Sequence, residues 1–494
     1  MMPTPNTSRL AMPLSAALTR RTLLSSIALG TLAQVVTTCG AHAMVPVPDA
    51  SSDQEIDVRA YGAIFDGRDN TEAIRRAILA ASISPSTRTV RFPPGDSLLT
   101  STLHWPSGVR AVGAGAVNTR FRRIADYGDT FVFGDPVTGY VSGGAEGFTI
   151  YQDHGAGFFP PNTEGGFRNR ATHGAHLNVH PDSHCRWTDI LLIGLTYQVR
   201  RRGGLASRYD QVDCYGIHDP AVPALQETMA SILIEGDLKA IPTDIEFTAC
   251  RISGMTSGVR AIDWPAHHRS SDVVQNAGAR YGLQIECCEG VRWSGGYIGA
   301  AAEAGVRLVA RKGSILSAFW LDGTFVDSCG YAGLLIDPSE AGTSTQISWQ
   351  PSEHNCQGNG FCAVTDTLAA DANDGATNVR SAPSVVGLTV TGQFRAQVGP
   401  GLLLTNARSV RIDVNARAWN LRNFYSAVTS YDAFVVVGRG CKNVAITGIL
   451  GGGMDGAGGH DAVAVRHDSA IAAQSRIHFG GITGLNTAPE AELR

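Results

Sequence analysis

A short pattern that returns at an even interval constrains this chain more than any other feature of its sequence. The pattern is a glycine followed by an apolar, a variable and an apolar residue, and four copies lie within residues 281–366. They begin at Gly282, Gly305, Gly333 and Gly360, which are 23 to 28 residues apart. The alternation is typical of a β-strand, and the interval is too short for an ordinary strand-helix-strand crossover. A repeat of this length indicates a solenoid of stacked coils.

Weaker copies extend the repeat over most of the chain. They are found at residues 401–404, 432–436 and 461–465, with less regular ones at 174–179 and 258–262. When each repeat supplies a strand that stacks on the next, the product is a parallel β-helix, an all-β solenoid whose coils contact only their neighbours. We therefore predict a single β-helix domain over residues 55–484 and a polar tail over residues 485–494.

Composition and charge fit a turn-rich β protein. The 494 residues include 57 glycines and 22 prolines, and 17% of them are charged, with a formal net charge of −4 at pH 7. A chain with this balance and no run of lysine or arginine is not expected to bind nucleic acid.

The ten cysteines are not spaced as metal ligands. The sequence has no Cys-x-x-Cys motif and no cysteine and histidine set with zinc spacing, so we predict no metal site and no cofactor. In a stacked solenoid, cysteines are expected as small buried residues and not as a disulfide framework. We apply this expectation to Cys287, Cys288, Cys329, Cys356 and Cys362.

The first 43 residues have the pattern of an export signal. Arg20 and Arg21 precede an apolar run that reaches Val36, and residues 41–43 read Ala-His-Ala, a small-x-small cleavage site. The segment resembles a twin-arginine signal, with an ordinary secretory signal as the alternative. On either interpretation we predict a linker at 44–54, no membrane-spanning segment in the mature chain, and a periplasmic or secreted location.

A strand, a glycine-rich turn and an amphipathic helix follow one another over residues 56–78. Asp69 or Asn70 stands at the position that caps such a helix. The apolar face of the helix would consist of Ala73, Ile74, Ala77 and Ile78. A short amphipathic helix before a solenoid covers the open apolar end of the coils, so we predict a helical cap near residues 70–80.

The same region resembles the N-terminal signature of the pectate lyase superfamily, the pectin-lyase-like proteins. The resemblance is carried by residues 56–78, by Val-Arg-Phe-Pro-Pro-Gly at 90–95, by 98–103 and by Val-Gly-Ala-Gly at 112–115. It departs from the signature at Ile64, Phe65 and Ser97. The resemblance implies a right-handed parallel β-helix with a short N-terminal capping helix. It also implies a carbohydrate ligand, because the superfamily includes polysaccharide lyases, glycoside hydrolases, uronate epimerases and tail-spike depolymerases, and so it leaves the reaction open.

The repeat predicts which side chains share a face. Coils stack about 4.8 Å apart, so the same position in successive repeats forms a column. If the residue after each glycine points inward, Gln284 and Arg307 point outward, and so do Glu286 and Asp337. The two carboxylates would then lie two coils apart, about 9 to 10 Å, which is near the spacing of an acid and a base with water between them.

We therefore predict Glu286 and Asp337 as the catalytic pair. Arg307 would contact one carboxylate, which would act as the base, while the other would hold the proton and act as the acid. Arg260, Gln284 and Arg307 are predicted to hold the sugar. The alternative for each charged position is an ordinary solvated face of a strand.

Long segments rich in glycine, proline, arginine and histidine separate the coils before residue 281. We interpret residues 160–173, 197–225 and 263–280 as loops over one wall of the solenoid, where binding residues are commonly found. The last of these loops contains Asp263, His267 and His268, which we predict as further substrate-binding residues.

The leading hypothesis is a secreted enzyme that cleaves a polysaccharide in a groove along the β-helix, as a hydrolase or a lyase. Hydrolysis uses two carboxylates, whereas β-elimination needs a base beside a uronate whose charge is neutralised. A non-catalytic glycan-binding or surface-structural β-helix is the alternative, because the catalytic motifs of polygalacturonases are not matched. A calcium-dependent pectate lyase is a third hypothesis, although no dense aspartate cluster occurs on consecutive coils.

Overall fold

The computed structural model of the chain describes most of the residues after residue 54, and these belong to one compact unit, Ala50–Arg494. The described residues are 55–85, 88–124, 128–152, 174–216, 228–254, 279–301, 303–311, 313–327, 329, 332–337, 342–355, 361–364, 385–397, 402–419, 433–438, 440–450, 463–467, 477–483 and 490–492.

The N-terminal end of the fold is closed by a helix. A strand at Ile56–Asp57, a 3-10 turn at Val58–Tyr61 and a strand at Asp66–Asp69 lead into the helix Thr71–Ile83. Its buried face consists of Thr71, Ala73, Ile74, Ala77, Ile78 and Ala81. The predicted cap is therefore confirmed.

The start of this helix is held by side chains on both sides of the N-cap. The Asp69 carboxylate accepts hydrogen bonds from the Thr71 N–H at 2.9 Å and from the Thr71 hydroxyl at 2.6 Å. Asn70 occupies the N-cap position, but its amide bonds the backbone of Ile64 and the hydroxyl of Ser97. These contacts join the cap to the first coils.

Two parallel sheets make up the coils. The larger, which we call sheet one, contains 21 described strands. They are Ile56–Asp57, Asp66–Asp69, Thr89–Arg91, Gly95–Leu99, Arg110–Val112, Thr119–Arg123, Gly144–Gln152, Arg186–Ile193, Arg208–Gly216, Thr243–Thr248, Arg251–Gly254, Cys288–Ser294, Tyr297–Gly299, Leu316–Asp322, Phe325–Asp327, Ser344–Gln350, Glu353–Asn355, Val385–Gln397, Ala407–Trp419, Lys442–Leu450 and Ile477–Thr483.

The smaller, which we call sheet two, contains 13 described strands and contributes one strand to each coil. They are Leu103–Trp105, Phe131–Phe133, Ala175–Val179, Tyr197–Arg202, Ala230–Glu235, Tyr281–Ile285, Ala304–Val309, Ala332–Asp337, Phe361–Val364, Leu402–Leu404, Ala433–Val437, Val463–His467 and Glu490–Glu492. A two-stranded ladder pairs Tyr140–Val141 with Asp182–Ser183.

The chain is thus an all-β, right-handed parallel β-helix with a short N-terminal capping helix, as predicted. The strand Glu490–Glu492 pairs in parallel with Val463–His467, so the pairing continues beyond residue 484, within the stretch predicted as a polar tail. Polar residues continue the ladder there because its hydrogen bonds come from the backbone and need no apolar side chain.

Aromatic side chains stack along the interior of the middle coils. Trp187, Tyr209, Phe247 and Trp293 occupy one inward column of sheet one on consecutive coils. Their ring centroids are 5.8, 4.7 and 5.1 Å apart, and the rings lie within 21° of parallel. All four rings are buried, so they contribute both apolar burial and ring stacking to the core.

The repeated glycine has a steric cause. A Cβ on Gly282 would lie 2.4 Å from the Gly305 carbonyl oxygen, and a Cβ on Gly305 would lie 2.9 Å from the sulfur of Cys329. Neighbouring coils approach too closely at these two positions for a side chain. The glycine is the second residue of the strands Tyr281–Ile285, Ala304–Val309 and Ala332–Asp337, whereas the aligned residue of the preceding coil is Ser231.

One position of sheet one is left-handed in seven consecutive coils. The φ angle is between 50° and 92° at Asp244, Gly290, Ala318, Gln346, Gly387, Ser409 and Asn443. The residue after each of them pairs with its counterpart on the next coil, so the seven form one column. We call this the left-handed column.

The loop prediction for residues 197–225 is wrong over much of its length. Tyr197–Arg202 and Arg208–Gly216 are strands that pair with the coils on both sides. Tyr197–Arg202 ends in three arginines, and this polar pattern predicts a loop. One of them, Arg201, instead lies in the core, between Val179 and Ile234 in an inward column.

Arg201 is fully buried beside an equally buried Asp182, to which it is ion-paired. Its Nη1 also donates to the Tyr209 hydroxyl at 3.2 Å, and the Ser207 hydroxyl donates to Asp182 at 2.7 Å. Burial of a charge is tolerated only when it is paired and hydrogen-bonded, and this group meets both conditions.

Cys287, Cys288 and Cys329 are buried free thiols, as expected. Burial raises the pKa of Cys288 and of Cys329 to about 12. Cys356 and the side chain of Cys362 lie outside the described residues.

Candidate functional site

The predicted site residues that the structure describes lie on the outward face of sheet two. Leu283 and Ile285 point into the core with their partners Val306 and Leu308, and all four are fully buried. The intervening pair, Gln284 and Arg307, faces outward on adjacent coils. The observed register is therefore the predicted one.

Arg307 is the centre of the contacts on this face. Its Nε and Nη2 donate to Oδ2 of Asp337 at 2.9 and 2.5 Å, and its Nη1 donates to the side-chain Oε1 of Gln284 at 3.3 Å. The guanidinium carbon lies 4.4 Å from the centre of the Tyr281 ring, within range of a cation–π contact. All three guanidinium nitrogens are thus engaged by protein groups.

Glu286 is bonded to a different arginine. Its carboxylate accepts a hydrogen bond from the Gln284 amide at 2.8 Å and is ion-paired with Arg311 at 2.5 Å. The Glu286 side chain is 9% exposed, whereas that of Arg311 is 52% exposed. Solvent therefore reaches the arginine more readily than the carboxylate.

The two carboxylates are two coils apart. Glu286 follows Ile285, which pairs with Leu308, and the next residue, Val309, pairs with Asp337. Two coil spacings are about 10 Å. The Asp337 side chain is 8% exposed, so neither carboxylate is an ordinary solvated surface group.

Tyr281 and Glu303 support this arrangement from the start of the strands. The Tyr281 hydroxyl donates to Glu303 at 2.5 Å, and Arg280 is ion-paired with the same carboxylate. Burial and the neighbouring Glu303 charge raise the pKa of Tyr281 above its ordinary value. The tyrosine is therefore neutral at physiological pH and presents its ring to Arg307.

The remaining predicted site residues, Arg260, Asp263, His267 and His268, lie outside the described residues. Their proximity to Glu286 and Asp337 stays a prediction.

Sequence reasoning missed a second polar group on the same face, nearer the N-terminus. This group, which we call the upstream cluster, consists of Asn178, His180, Arg200, Arg202 and Glu235. The weak repeat at residues 174–179 is the available signal, but the sequence pattern of the next coil predicts a loop, so its residues are not aligned in columns. Burial and the charge of Arg202 lower the pKa of His180, so its imidazole is neutral at pH 7.

Within the described ranges, no three His, Cys, Asp or Glu side chains come together as a set that could hold a metal ion. Among the same residues, no helix combines the length and the hydropathy that crossing a bilayer requires.

No protein-family model and no curated protein matches this sequence. Solved structures match it in fold. The surface adhesin PfbA of Streptococcus pneumoniae is 11% identical with a TM-score of 0.50, over 89% of this chain and 93% of that chain. The A-module of the mannuronan C-5 epimerase AlgE4 of Azotobacter vinelandii is 10% identical with a TM-score of 0.47, over 89% of this chain and 98% of that chain. The likeness to the adhesin supports the β-helix fold and nothing more specific.

Proposed function

We propose that this chain is an exported, pectate lyase-like protein that binds a polysaccharide along the outward face of sheet two and cleaves it between Glu286 and Asp337. The observation that carries the proposal is the arrangement of those two carboxylates. They lie two coils apart on one face. Gln284 lies on the same coil as Glu286, and Arg307 lies on the coil between the two carboxylates. A glycan laid along the coil axis would contact both.

The contacts assign a role to each carboxylate. Asp337 accepts two hydrogen bonds from the partly buried Arg307, which hold its carboxylate in place, and we assign it to activate water as the base. Glu286, whose partner Arg311 is half-exposed, is assigned as the acid. This division corresponds to hydrolysis with inversion.

The arginine contacts also favour a second candidate function, which is glycan binding without cleavage. Each carboxylate already has an arginine partner, and a carboxylate in such a pair is restrained from exchanging protons with a substrate. A non-catalytic β-helix would use the same face for recognition alone.

The chain without residues 1–43, which are proposed as a twin-arginine export signal, can be tested against a panel of acidic and neutral polysaccharides. New reducing ends without an ultraviolet-absorbing unsaturated product would identify a hydrolase, and an unsaturated uronate would identify a lyase. Binding with neither product would identify the non-catalytic protein. Absence of both binding and cleavage across the panel would contradict the proposal.

The Glu286→Gln and Asp337→Asn variants test the assignment. Loss of a general acid or base is expected to lower kcat by at least 100-fold. The matched control is Glu246→Gln on sheet one, because Glu246 is ion-paired with Arg208 across coils in the same way. Unchanged kcat in both site variants would show that Glu286 and Asp337 are not catalytic. Asp263, His267 and His268 would then be the next residues to substitute.

A further inference from the structure

The two arginines of the candidate site are held in different ways. Arg307 makes two hydrogen bonds to Asp337 and one to Gln284, and its side chain is 19% exposed. Among the described residues, the Arg311 guanidinium donates no hydrogen bond, and it contacts Glu286 through charge alone. Arg311 is therefore the less restrained of the two side chains.

The Glu286 oxygen that Arg311 contacts is buried. Nη2 of Arg311 lies 2.5 Å from Oε2 of Glu286, but the two groups are not aligned as a hydrogen bond, and within the described chain Oε2 has no hydrogen-bond partner. The other carboxylate oxygen, Oε1, accepts from the Gln284 amide at 2.8 Å. Oε2 is thus the oxygen of this carboxylate that becomes available to a ligand once Arg311 moves away.

The backbone around Arg311 is fixed, whereas its side chain is free to move. The Ser314 N–H and hydroxyl donate to the Arg311 carbonyl at 3.0 and 2.9 Å, and the same hydroxyl lies 3.3 Å from the Glu286 carbonyl. On the next coil, the Gly342 N–H donates to the Ala310 carbonyl at 2.8 Å. The Arg311 side chain is 52% exposed, and exposed side chains change rotamer within nanoseconds. Glu286 can therefore be uncovered without any change in the coils.

We propose that Arg311 is a removable cover on Glu286, which occupies Oε2 in the ligand-free protein and turns into solvent when a glycan enters the site. The inference rests on the proposed function and adds a regulation of the same site. Proton donation to a leaving oxygen requires an open carboxyl oxygen at hydrogen-bond distance, and a guanidinium in contact with that oxygen blocks it. Arg307 has no such role, because it holds Asp337 through two aligned hydrogen bonds.

The first test measures how readily Glu286 is modified. The chain without residues 1–43 is treated with a water-soluble carbodiimide and glycine ethyl ester, and mass spectrometry measures the labelling rate at each carboxyl group. A half-exposed ion pair is weak, so we expect Arg311→Ala to raise the rate at Glu286 about two- to fivefold. Arg311→Lys keeps the positive charge and should label nearly as slowly as the parent chain. Asp337 is the internal reference, because its side chain is 8% exposed and its own arginine is unchanged.

The same measurement on the parent chain requires no substitution. Raising NaCl to about 1 M shortens the screening length to about 3 Å, which weakens a half-exposed ion pair more than a buried one. We expect faster labelling of Glu286 and no change at Asp337. The matched control variant is Arg208→Ala, which uncovers Glu246 on sheet one and should leave the rate at Glu286 unchanged.

The second test compares turnover of a polysaccharide that the parent chain cleaves. The glycan no longer has to displace an arginine in Arg311→Ala, so we expect kcat/KM to rise about two- to fivefold through a lower KM, with kcat unchanged. Arg208→Ala should leave both constants unchanged. A lower kcat/KM in Arg311→Ala would show that Arg311 holds the substrate and would overturn the cover.

Two labelling results would also overturn the cover. One is equal labelling of Glu286 in the parent chain and in Arg311→Ala. The other is an equal increase in the Ala and Lys variants, which would assign the effect to the size of the side chain and not to its charge. If no polysaccharide in the panel is cleaved, the proposed cleavage fails, and the labelling rates still decide whether Arg311 covers Glu286.

Discussion

Arg201 shows how one residue can conceal a coil from sequence reasoning. It occupies an inward position where the neighbouring coils have Val179 and Ile234, and a charged residue there breaks the apolar alternation. Asp182 stabilises the buried charge of Arg201. It lies in the short ladder before the strand, and the sequence alone does not predict that it pairs with Arg201. The upstream cluster was missed for the same reason, since Arg200 and Arg202 flank Arg201.

The Arg201→Met variant tests the importance of this interior pair. It leaves the Asp182 carboxylate buried without its counter-charge, and we expect a loss of about 3–5 kcal/mol in the free energy of unfolding. Arg200→Met is the control from the same strand, because it removes a partly exposed arginine and should cost about 1 kcal/mol or less. Urea denaturation of both variants would measure the difference, and equal losses would contradict the interior role.

The buried thiols make a second prediction about single residues. Burial raises the pKa of Cys250 and of Cys288 to about 12, so at pH 8 almost no thiolate is present in the folded chain. Because the thiolate is the reactive form, we expect slow labelling of these cysteines by iodoacetamide in the native protein and rapid labelling in urea. Mass spectrometry of the labelled peptides would detect the contrast, and rapid native labelling would show that these sites open to solvent.

At the level of strands, the sequence was informative where the repeat was regular. Gly282, Gly305 and Gly333 marked the start of three sheet-two strands, and period-two alternation then determined which residues face outward. Glycine recurs there because contact between coils excludes a Cβ at Gly282 and at Gly305, whereas the aligned residue of the preceding coil is Ser231. Alternation predicts the side of the sheet on which a residue lies, but it does not predict which side chains contact each other. The pairing of Glu286 with Arg311 and of Asp337 with Arg307 is therefore visible only in the structure.

The left-handed column gives a prediction for one strand element. Ala318 has a φ of 58°, a conformation that costs a residue with a Cβ about 1–2 kcal/mol. Ala318→Gly removes that cost, but a glycine loses about 0.5–1 kcal/mol more conformational entropy on folding, so we expect stability to be unchanged or higher by up to about 1.5 kcal/mol. Ala304→Gly is the contrasting control, because Ala304 is a fully buried strand residue outside the left-handed region and its replacement should destabilise the protein. Equal destabilisation by both changes in thermal denaturation would contradict the role of the column.

Over the whole molecule, the capping helix and the coils form a one-dimensional stack. Each coil contacts its immediate neighbours, so a local defect is expected to weaken nearby coils more than distant ones. The cap residue Ile74 is fully buried at one end of this stack. A substitution of Ile74 therefore creates a defect at one end of the stack, and its effect can be followed from coil to coil.

Ile74→Ala should cost about 2–5 kcal/mol in the region that it contacts, because it leaves a cavity under the cap. We expect faster hydrogen exchange in the coils at residues 88–124 and unchanged exchange at residues 385–397. Mass spectrometry of exchanged peptides would report both regions in one experiment. A uniform increase along the chain would show that the solenoid unfolds as a single cooperative unit.

The regular coils in the middle of the chain allow the molecule to change length. Strands of sheet one begin at Cys288, Leu316 and Ser344, an identical spacing of 28 residues, and pair without a shift in register. A duplication of 28 residues in this region would therefore keep each inward, outward and left-handed column continuous. The protein would grow by about 4.8 Å along its axis, without a new core to design. Such a chain could acquire or lose a binding position for one more segment of polymer by a single in-frame genetic event.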